Sequence, residues 1–125
     1  MGIGHIITDQ GKQIILDRTF AAGTFSAPLR FRTGTGTTTP IASQTALVTP
    51  VTAAATFLTG YPIVPPSVSL NLVMIRAFLD TTQANGNSLT EFGIFNTDGT
   101  PKMFSRTVHN PITKTSSVQV LYAEK

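Results

Sequence analysis

The sequence predicts a single small domain that is mainly β or α+β, built as an antiparallel β-sandwich or meander with one short N-terminal helix. The longest apolar stretch, residues 67–79, has Val, Leu and Ile at both odd and even positions, as in a central strand covered on both faces. Asn-Gly and Asn-Thr-Asp-Gly turn signals follow it. Residues 117–123 alternate between two faces, which is typical of a strand.

The helix is predicted near the start of the chain. Thr8 and Asp9 can cap it, because their side-chain oxygens accept hydrogen bonds from N–H groups that have no partner in the first turn. Residues 12–18 then supply two turns. Three contiguous apolar residues beginning at Ile14 leave a short strand as the alternative.

An extended piece over residues 25–32 and a loop over residues 33–40 are predicted next. Glycines and threonines alternate in the loop, and Pro40 forbids a helical conformation at its neighbour. We expect this loop to contact other subunits and not its own fold, because it offers little apolar surface to its own core. Its predicted interface residues are Thr35, Gly36, Thr37 and Thr38.

Two further segments are predicted to be surface connectors or edges. Residues 42–52 are small and polar with an internal proline, and residues 61–66 contain three prolines. The second connector places apolar side chains on or near the outside. We therefore predict that Tyr61, Ile63 and Val64 belong to the subunit interface.

Residues 67–125 are predicted to form an antiparallel meander, whereas residues 1–66 hold the helix, extended segments and loops. Asn85-Gly86 predicts a type I′ hairpin turn, since Asn and Gly reach positive φ most easily. Residues 89–95 then return as the partner of the core strand.

The meander continues through the turn at residues 96–99, in which Gly99 is predicted to have a structural role. A third strand over residues 103–108 follows, and Pro111 is expected to break it. The strand over residues 117–123 closes the sheet.

The amino-acid composition excludes several classes of function. Charged residues are 12 % of the chain, about half of the roughly 25 % of an ordinary domain. We expect part of the outer surface to be covered by other subunits in a homo-oligomer; solvation of the surface by Thr, Ser, Asn and Gln is the alternative, and both can hold together. The net charge of +3 comes from scattered bases, so no nucleic-acid partner is predicted. With no cysteine, thiolate chemistry is excluded. A signal peptide, a membrane span and a membrane partner are likewise not predicted.

No cofactor or metal is predicted. The Gly34-Thr35-Gly36 run has no Gly-Lys-Ser/Thr after it, as a phosphate-binding loop requires. His5 and His109 are the only histidines and lie far apart in sequence, so a metal site is not expected. His109 is interpreted as a turn residue.

Glu91 is the one acid without a cap, turn or terminal explanation. It lies between residues that should be buried, so it needs a basic partner, either Arg76 or Arg106. We interpret it as a structural acid; a general base is the alternative, but no second catalytic group stands beside it. Gly93 next to it predicts a bulge or a close backbone approach.

Three segments in this order resemble the tail-collar fibre proteins of tailed bacteriophages. They are the glycine-rich Gly-x-Gly loop at Gly34, the Thr-x-Leu stretch at Thr45, and a Glu-x-Gly-[Leu/Ile]-[Phe/Tyr] signature at residues 91–95 followed by Gly99. The resemblance covers nearly the whole chain, and the last signature is the most specific.

The resemblance implies a virion structural protein, assembled in the host cytoplasm, that attaches a fibre to the tail or baseplate and is trimeric. The sequence contains no fibre shaft or receptor-binding tip, so an adaptor, baseplate or decoration subunit is more plausible than receptor recognition. The leading hypothesis is a non-enzymatic subunit of the tail, baseplate or tail-fibre junction. A capsid cement protein is the first alternative, and a small hydrolase or ligand-binding β-domain is the second.

Overall fold

The computed structural model describes residues 4–21, 23–51, 58–59, 67–69, 72–79, 81–117 and 120–124. The fold is mainly antiparallel β with one short helix, which confirms the predicted class. In chain order the elements are β1 (Gly4–Ile7), α1 (Asp9–Phe20), β2 (Arg30–Gly34), β3 (Leu58–Thr59), β4 (Ser67–Ser69), β5 (Leu72–Leu79), β6 (Asn87–Phe95), β7 (Met103–Lys114) and β8 (Val120–Glu124).

The described strands form two antiparallel sheets. The larger has the order β1-β7-β6-β2-β3, and the smaller has the order β4-β5-β8. In the larger sheet β6 is central and pairs with β7 on one side and with β2 on the other. The first strand pairs with the seventh, so that Gly4 lies opposite Val108 and Ile7 lies opposite Ser105. Both halves of the chain therefore contribute to one sheet.

The helix is confirmed where the capping residues predicted it. Thr8 is its N-cap, and the Thr8 Oγ1 accepts a hydrogen bond from Gly11 N at 3.0 Å. The same hydroxyl donates to the Met103 carbonyl of β7, which ties the start of α1 to the sheet. At the other end Ala21 N donates to Asp17 O at 3.1 Å.

The single core strand predicted over residues 67–79 is wrong. The chain reverses inside this stretch and forms β4 and β5, with Ser67 opposite Met74 and Ser69 opposite Leu72. Hydrophobicity does not reveal such a reversal, because both strands lie within one stretch that contains no Gly or Pro turn signal.

The predicted hairpin between the core strand and residues 89–95 is also wrong. β5 pairs with β8, and β6 pairs with β2 and β7. Positive φ occurs at Ala84 (58°) and Gly86 (85°), with Asn85 between them, so the chain passes through a wider turn over residues 81–86. A type I′ turn requires two adjacent residues at positive φ.

Strand β7 continues through Pro111, contrary to the prediction, and His109 lies within this strand and not in a turn. Leu89 faces Ile112 whereas Glu91 faces Val108, so β7 carries extra residues at this point as a bulge. A bulge accommodates proline because not every residue in it donates a backbone N–H hydrogen bond to the neighbouring strand.

The larger of two buried apolar clusters in the described residues lies on one side of the larger sheet. Phe31 of β2 packs on Phe92 of β6, with ring centroids 5.8 Å apart. Leu79 and Val120, from the smaller sheet, belong to the same cluster. The remaining buried members are Val51, Ala84, Leu89 and Ile94. The core therefore lies between the two sheets, and strand neighbours of Phe92 point to the opposite side.

Candidate functional site

Glu91 forms a fully buried ion pair with Arg106 on the neighbouring strand. Glu91 Oε2 accepts from Arg106 Nη2 at 2.8 Å and from Arg106 Nε at 2.9 Å, and both side chains have no exposed area. The partner is thus one of the two bases that the sequence offered. Arg76 belongs to β5 in the other sheet, and its side chain lies outside the described part of the structure.

The carboxylate of Glu91 also holds a loop that we call the strap, residues 35–50. Val48 N donates to Glu91 Oε2 at 3.2 Å, and Thr49 N donates to Oε1 at 2.8 Å. The four hydrogen bonds engage both carboxylate oxygens. Charge-assisted bonds of this kind are stronger than neutral ones, so Glu91 is a structural anchor for the strap.

Arg106 holds the strap at two further points. Its Nη1 donates to the Thr38 carbonyl at 2.7 Å and to Gln44 Oε1 at 3.2 Å. The ends of the strap meet at its base, where Thr35 N donates to Thr49 O at 2.9 Å. One ion pair therefore fixes the beginning, middle and end of the strap.

Glycines make room for the carboxylate. A Cβ at Gly34 would collide with Glu91 Oε1, and a Cβ at Gly36 would lie 2.8 Å from both carboxylate oxygens. At Gly93 a Cβ would lie 2.8 Å from Leu47 Cδ2, so this glycine leaves space for a strap side chain. The sequence predicts a bulge or a close approach of backbone at Gly93. In the structure the group that approaches Gly93 is the Leu47 side chain.

The three segments that carry the tail-collar resemblance meet in this one place. The Gly-x-Gly loop lies against the carboxylate, the Thr-x-Leu stretch places Leu47 over Gly93, and the Glu-x-Gly signature supplies the acid. We call these residues the Glu91 cluster: Gly34, Gly36, Leu47, Glu91, Gly93 and Arg106. Sequence reasoning missed that the three segments form one unit, because the strap contributes backbone N–H groups that side-chain patterns do not reveal.

The predicted interface loop has contacts within its own fold, and the expectation that it would lack them is wrong. Gly36 is buried, and its carbonyl accepts from Thr90 Oγ1 at 2.8 Å. Thr35 is half-buried, whereas Thr37 and Thr38 are exposed. The backbone thus packs inward while these threonines face outward. Tyr61, Ile63 and Val64 lie outside the described residues.

The second predicted structural glycine has no such constraint. Gly99 lies in the loop that joins β6 and β7, its φ is outside the left-handed region, and the space where a Cβ would lie is open. The loop is held instead by Asn96, whose Oδ1 accepts from Lys102 N at 2.9 Å, and by Asp98 Oδ1, which accepts from Ser26 N at 3.2 Å. Hydrogen bonding from Ser26 lowers the pKa of Asp98, and smaller effects of Asn96 and Lys102 act in the same direction.

The two histidines are both engaged within the fold. His5 Nδ1 lies 2.7 Å from Thr107 Oγ1 on the neighbouring strand, and His109 Nδ1 lies 2.8 Å from the Asn110 carbonyl. Among the described residues, no three His, Asp or Glu side chains come together as a metal site.

Large apolar side chains are exposed on α1. Phe20 is 82 % exposed and Leu16 is 57 % exposed, and these two residues lie one turn apart on the same face of the helix. On the strap, Ile41 and Val48 are also exposed. No helix in the described part of the chain is long and apolar enough to cross a membrane.

Comparison of the chain with family models, with curated proteins and with solved structures found no match.

Proposed function

We propose that this chain is a non-enzymatic structural subunit of a tailed-bacteriophage particle, in the tail, the baseplate or the tail-fibre junction. It acts by forming a homo-oligomer and by docking on other particle proteins. The observation that carries the proposal is the Glu91 cluster: the acid of the most specific signature holds the strap, and the strap presents a fixed outer surface.

The hydrogen bonds of the Glu91 carboxylate support a structural role for this residue. A general base needs an oxygen that can take a proton from a substrate, and both oxygens of Glu91 already accept hydrogen bonds in a site without solvent exposure. The proposal accordingly assigns no catalytic residue and no cofactor.

The outer surface of the strap fits a second copy of this chain. Not one charged residue occurs between Arg32 and Arg76, although each copy has a net charge of +3. Identical copies can therefore meet through the strap without bringing like charges together. The exposed residues of the strap are Thr37, Thr38, Thr39, Ile41, Ser43, Thr45, Ala46, Val48 and Thr49. Cyclic assemblies, including the trimer that the resemblance implies, bury such surfaces by symmetry.

The exposed apolar side of α1 provides a second surface. Leu16 and Phe20 stand on a helix whose buried residues are Gly11 and Ile14 and whose N-cap is tied to β7. A subunit of a particle needs one surface for its own copies and another for the protein on which it docks. We assign α1 to the second task.

Self-association is tested by adding one charge to the strap. Light scattering is expected to find the wild-type chain as an oligomer at micromolar concentration and Thr38→Lys shifted toward monomer, because each copy then brings the same charge to the contact. Thr113→Lys, on an exposed position of β7, is the control with the same net charge. A monodisperse wild-type monomer would contradict the oligomer.

The particle role is tested by quantifying the chain against the major capsid protein in purified particles. A tail or baseplate subunit is expected in tens of copies, whereas a cement protein would be present in hundreds. Absence from the particles would contradict both virion assignments.

A further inference from the structure

A buried lysine without an acidic partner lies at the end of β7. Lys114 has no exposed area, and its Nζ donates to Asn85 Oδ1 at 2.8 Å and to the Thr115 carbonyl at 3.2 Å. In the described part of the chain no acidic side chain pairs with Lys114, and its ammonium is held by carbonyl oxygens. Buried ammonium groups are normally paired with an anion.

The side chain that receives this hydrogen bond belongs to a chemically labile pair. Asn85 is exposed, and among the five asparagines of the sequence it is the one followed by glycine. Asparagine is a thermolabile residue. A following glycine has no Cβ to hinder its own nitrogen from approaching the side-chain amide of the asparagine.

We propose that Asn85 is a site of spontaneous deamidation and that Lys114 directs the reaction to an ordinary aspartate. In the first step, Gly86 N loses its proton to solvent base and bonds to Asn85 Cγ. The Cγ–Nδ2 bond breaks, and Nδ2 takes one proton from solvent and leaves as ammonia. The product is a cyclic succinimide.

In the second step, water adds to one of the two ring carbonyls and one carbon–nitrogen bond opens. Opening at Cγ restores the normal backbone and leaves an aspartate at position 85. Opening at the main-chain carbonyl carbon leaves an isoaspartate, in which the backbone runs through the side chain.

The position of Lys114 favours attack at Cγ in both steps. Its N–H group points at Oδ1, the oxygen on which negative charge develops when a nucleophile adds to Cγ. The carboxylate formed by opening at Cγ then lies beside the Lys114 ammonium. The modification therefore supplies the anion that this buried cation lacks.

The fold also restrains the reaction. Gly86 N donates to the Lys114 carbonyl at 2.9 Å, so this bond must open before the nitrogen can attack. We expect the folded chain to react more slowly than an unstructured peptide, with a larger share of aspartate in the product.

The experiment compares the purified chain with a synthetic peptide of residues 83–88 during incubation at mildly alkaline pH. Peptide mapping by mass spectrometry measures conversion at Asn85 and the ratio of aspartate to isoaspartate. We expect a ratio several-fold higher in the folded chain than in the peptide. Asn87, which precedes serine, is the internal control and is expected to stay unchanged in the chain.

Two variants test the part played by Lys114. Lys114→Gln should lower the ratio to that of the peptide. Asn85→Asp should raise the melting temperature by a few degrees because the new carboxylate pairs with Lys114, whereas Asn85→Ser should not; this comparison stands even if Lys114→Gln does not fold. The proposal is overturned if Asn85 stays intact while the peptide reacts, if the two ratios are equal, or if Asn85→Asp is not stabilising.

Discussion

The two sides of strand β6 are both buried but are stabilised in different ways. Phe92 and Ile94 face the apolar cluster between the sheets, where contact area is the main contribution. Glu91 and Gly93 face the strap, where four hydrogen bonds to the Glu91 carboxylate and the absence of a Cβ at three glycines decide the packing. The apolar side should tolerate changes of shape that keep its volume, whereas the polar side should not tolerate the loss of a single partner.

The largest effect is expected from Arg106→Met. The variant leaves the Glu91 carboxylate buried with its two backbone donors, which should lower the free energy of unfolding by about 3–5 kcal/mol. Urea denaturation measures the loss. Arg18→Met, which removes one exposed hydrogen bond to the Phe25 carbonyl, is the control.

Adding Glu91→Gln to Arg106→Met should recover part of that loss, because the unpaired charge is then removed. Equal losses for Arg106→Met and Arg18→Met would show that the ion pair does not stabilise the strap side.

A smaller effect is expected from Gly36→Ala. The added Cβ would lie 2.8 Å from both Glu91 carboxylate oxygens, so the strap must shift, at a cost of about 1–3 kcal/mol. Gly99→Ala is the matched control, because the space at that position is open. Thermal unfolding of the two variants measures the difference, and similar melting temperatures would contradict the close packing of the strap.

On the apolar side, Ile94→Val should cost only about 0.5–1.5 kcal/mol, since it removes one buried methylene group and no hydrogen bond. Urea denaturation should show a lower midpoint with an unchanged slope. A loss as large as that of Arg106→Met would remove the distinction between the two sides.

The smallest effect concerns Asp98, an acid outside both sides of β6. Because hydrogen bonding from Ser26 lowers its pKa from 3.8, its contribution to stability is present above that pH and is lost as the pH falls through the folded-state pKa. The stability difference between the wild type and Asp98→Asn should be constant above pH 3.8 and should narrow below it. A constant difference at all pH values would contradict the shift.

Features set by neighbouring residues could be predicted from the sequence, whereas features set by strand register could not. The cap at Thr8 involves Gly11, three positions away, and was predicted. For Glu91 the sequence offered two bases. The choice of Arg106 depends on β6 pairing with β7 and not with β5, and on the shift between Ile94 and Phe95 that places Arg106 opposite Gly93.

The strap was beyond sequence reasoning for a different reason. Its contacts to Glu91 come from the backbone N–H groups of Val48 and Thr49, and every residue except proline has such a group. The glycines therefore predict a loop without contacts to its own domain. In the structure Gly34 and Gly36 are needed because the Glu91 side chain leaves no room for a Cβ at either position. The buried Lys114 was missed because lysine is almost never fully buried.

The pairing of β1 with β7 delays folding during synthesis on the ribosome. His5 lies opposite Thr107, 102 positions later in the chain, and Thr8 needs a carbonyl at Met103. At roughly 5–20 residues per second, the ribosome takes on the order of 5–20 s to produce the partner of the first strand. Until then Ile14, which is buried in the folded chain, has no sheet to pack against, so nascent chains that stop before residue 103 should depend on chaperones more than the 125-residue chain does.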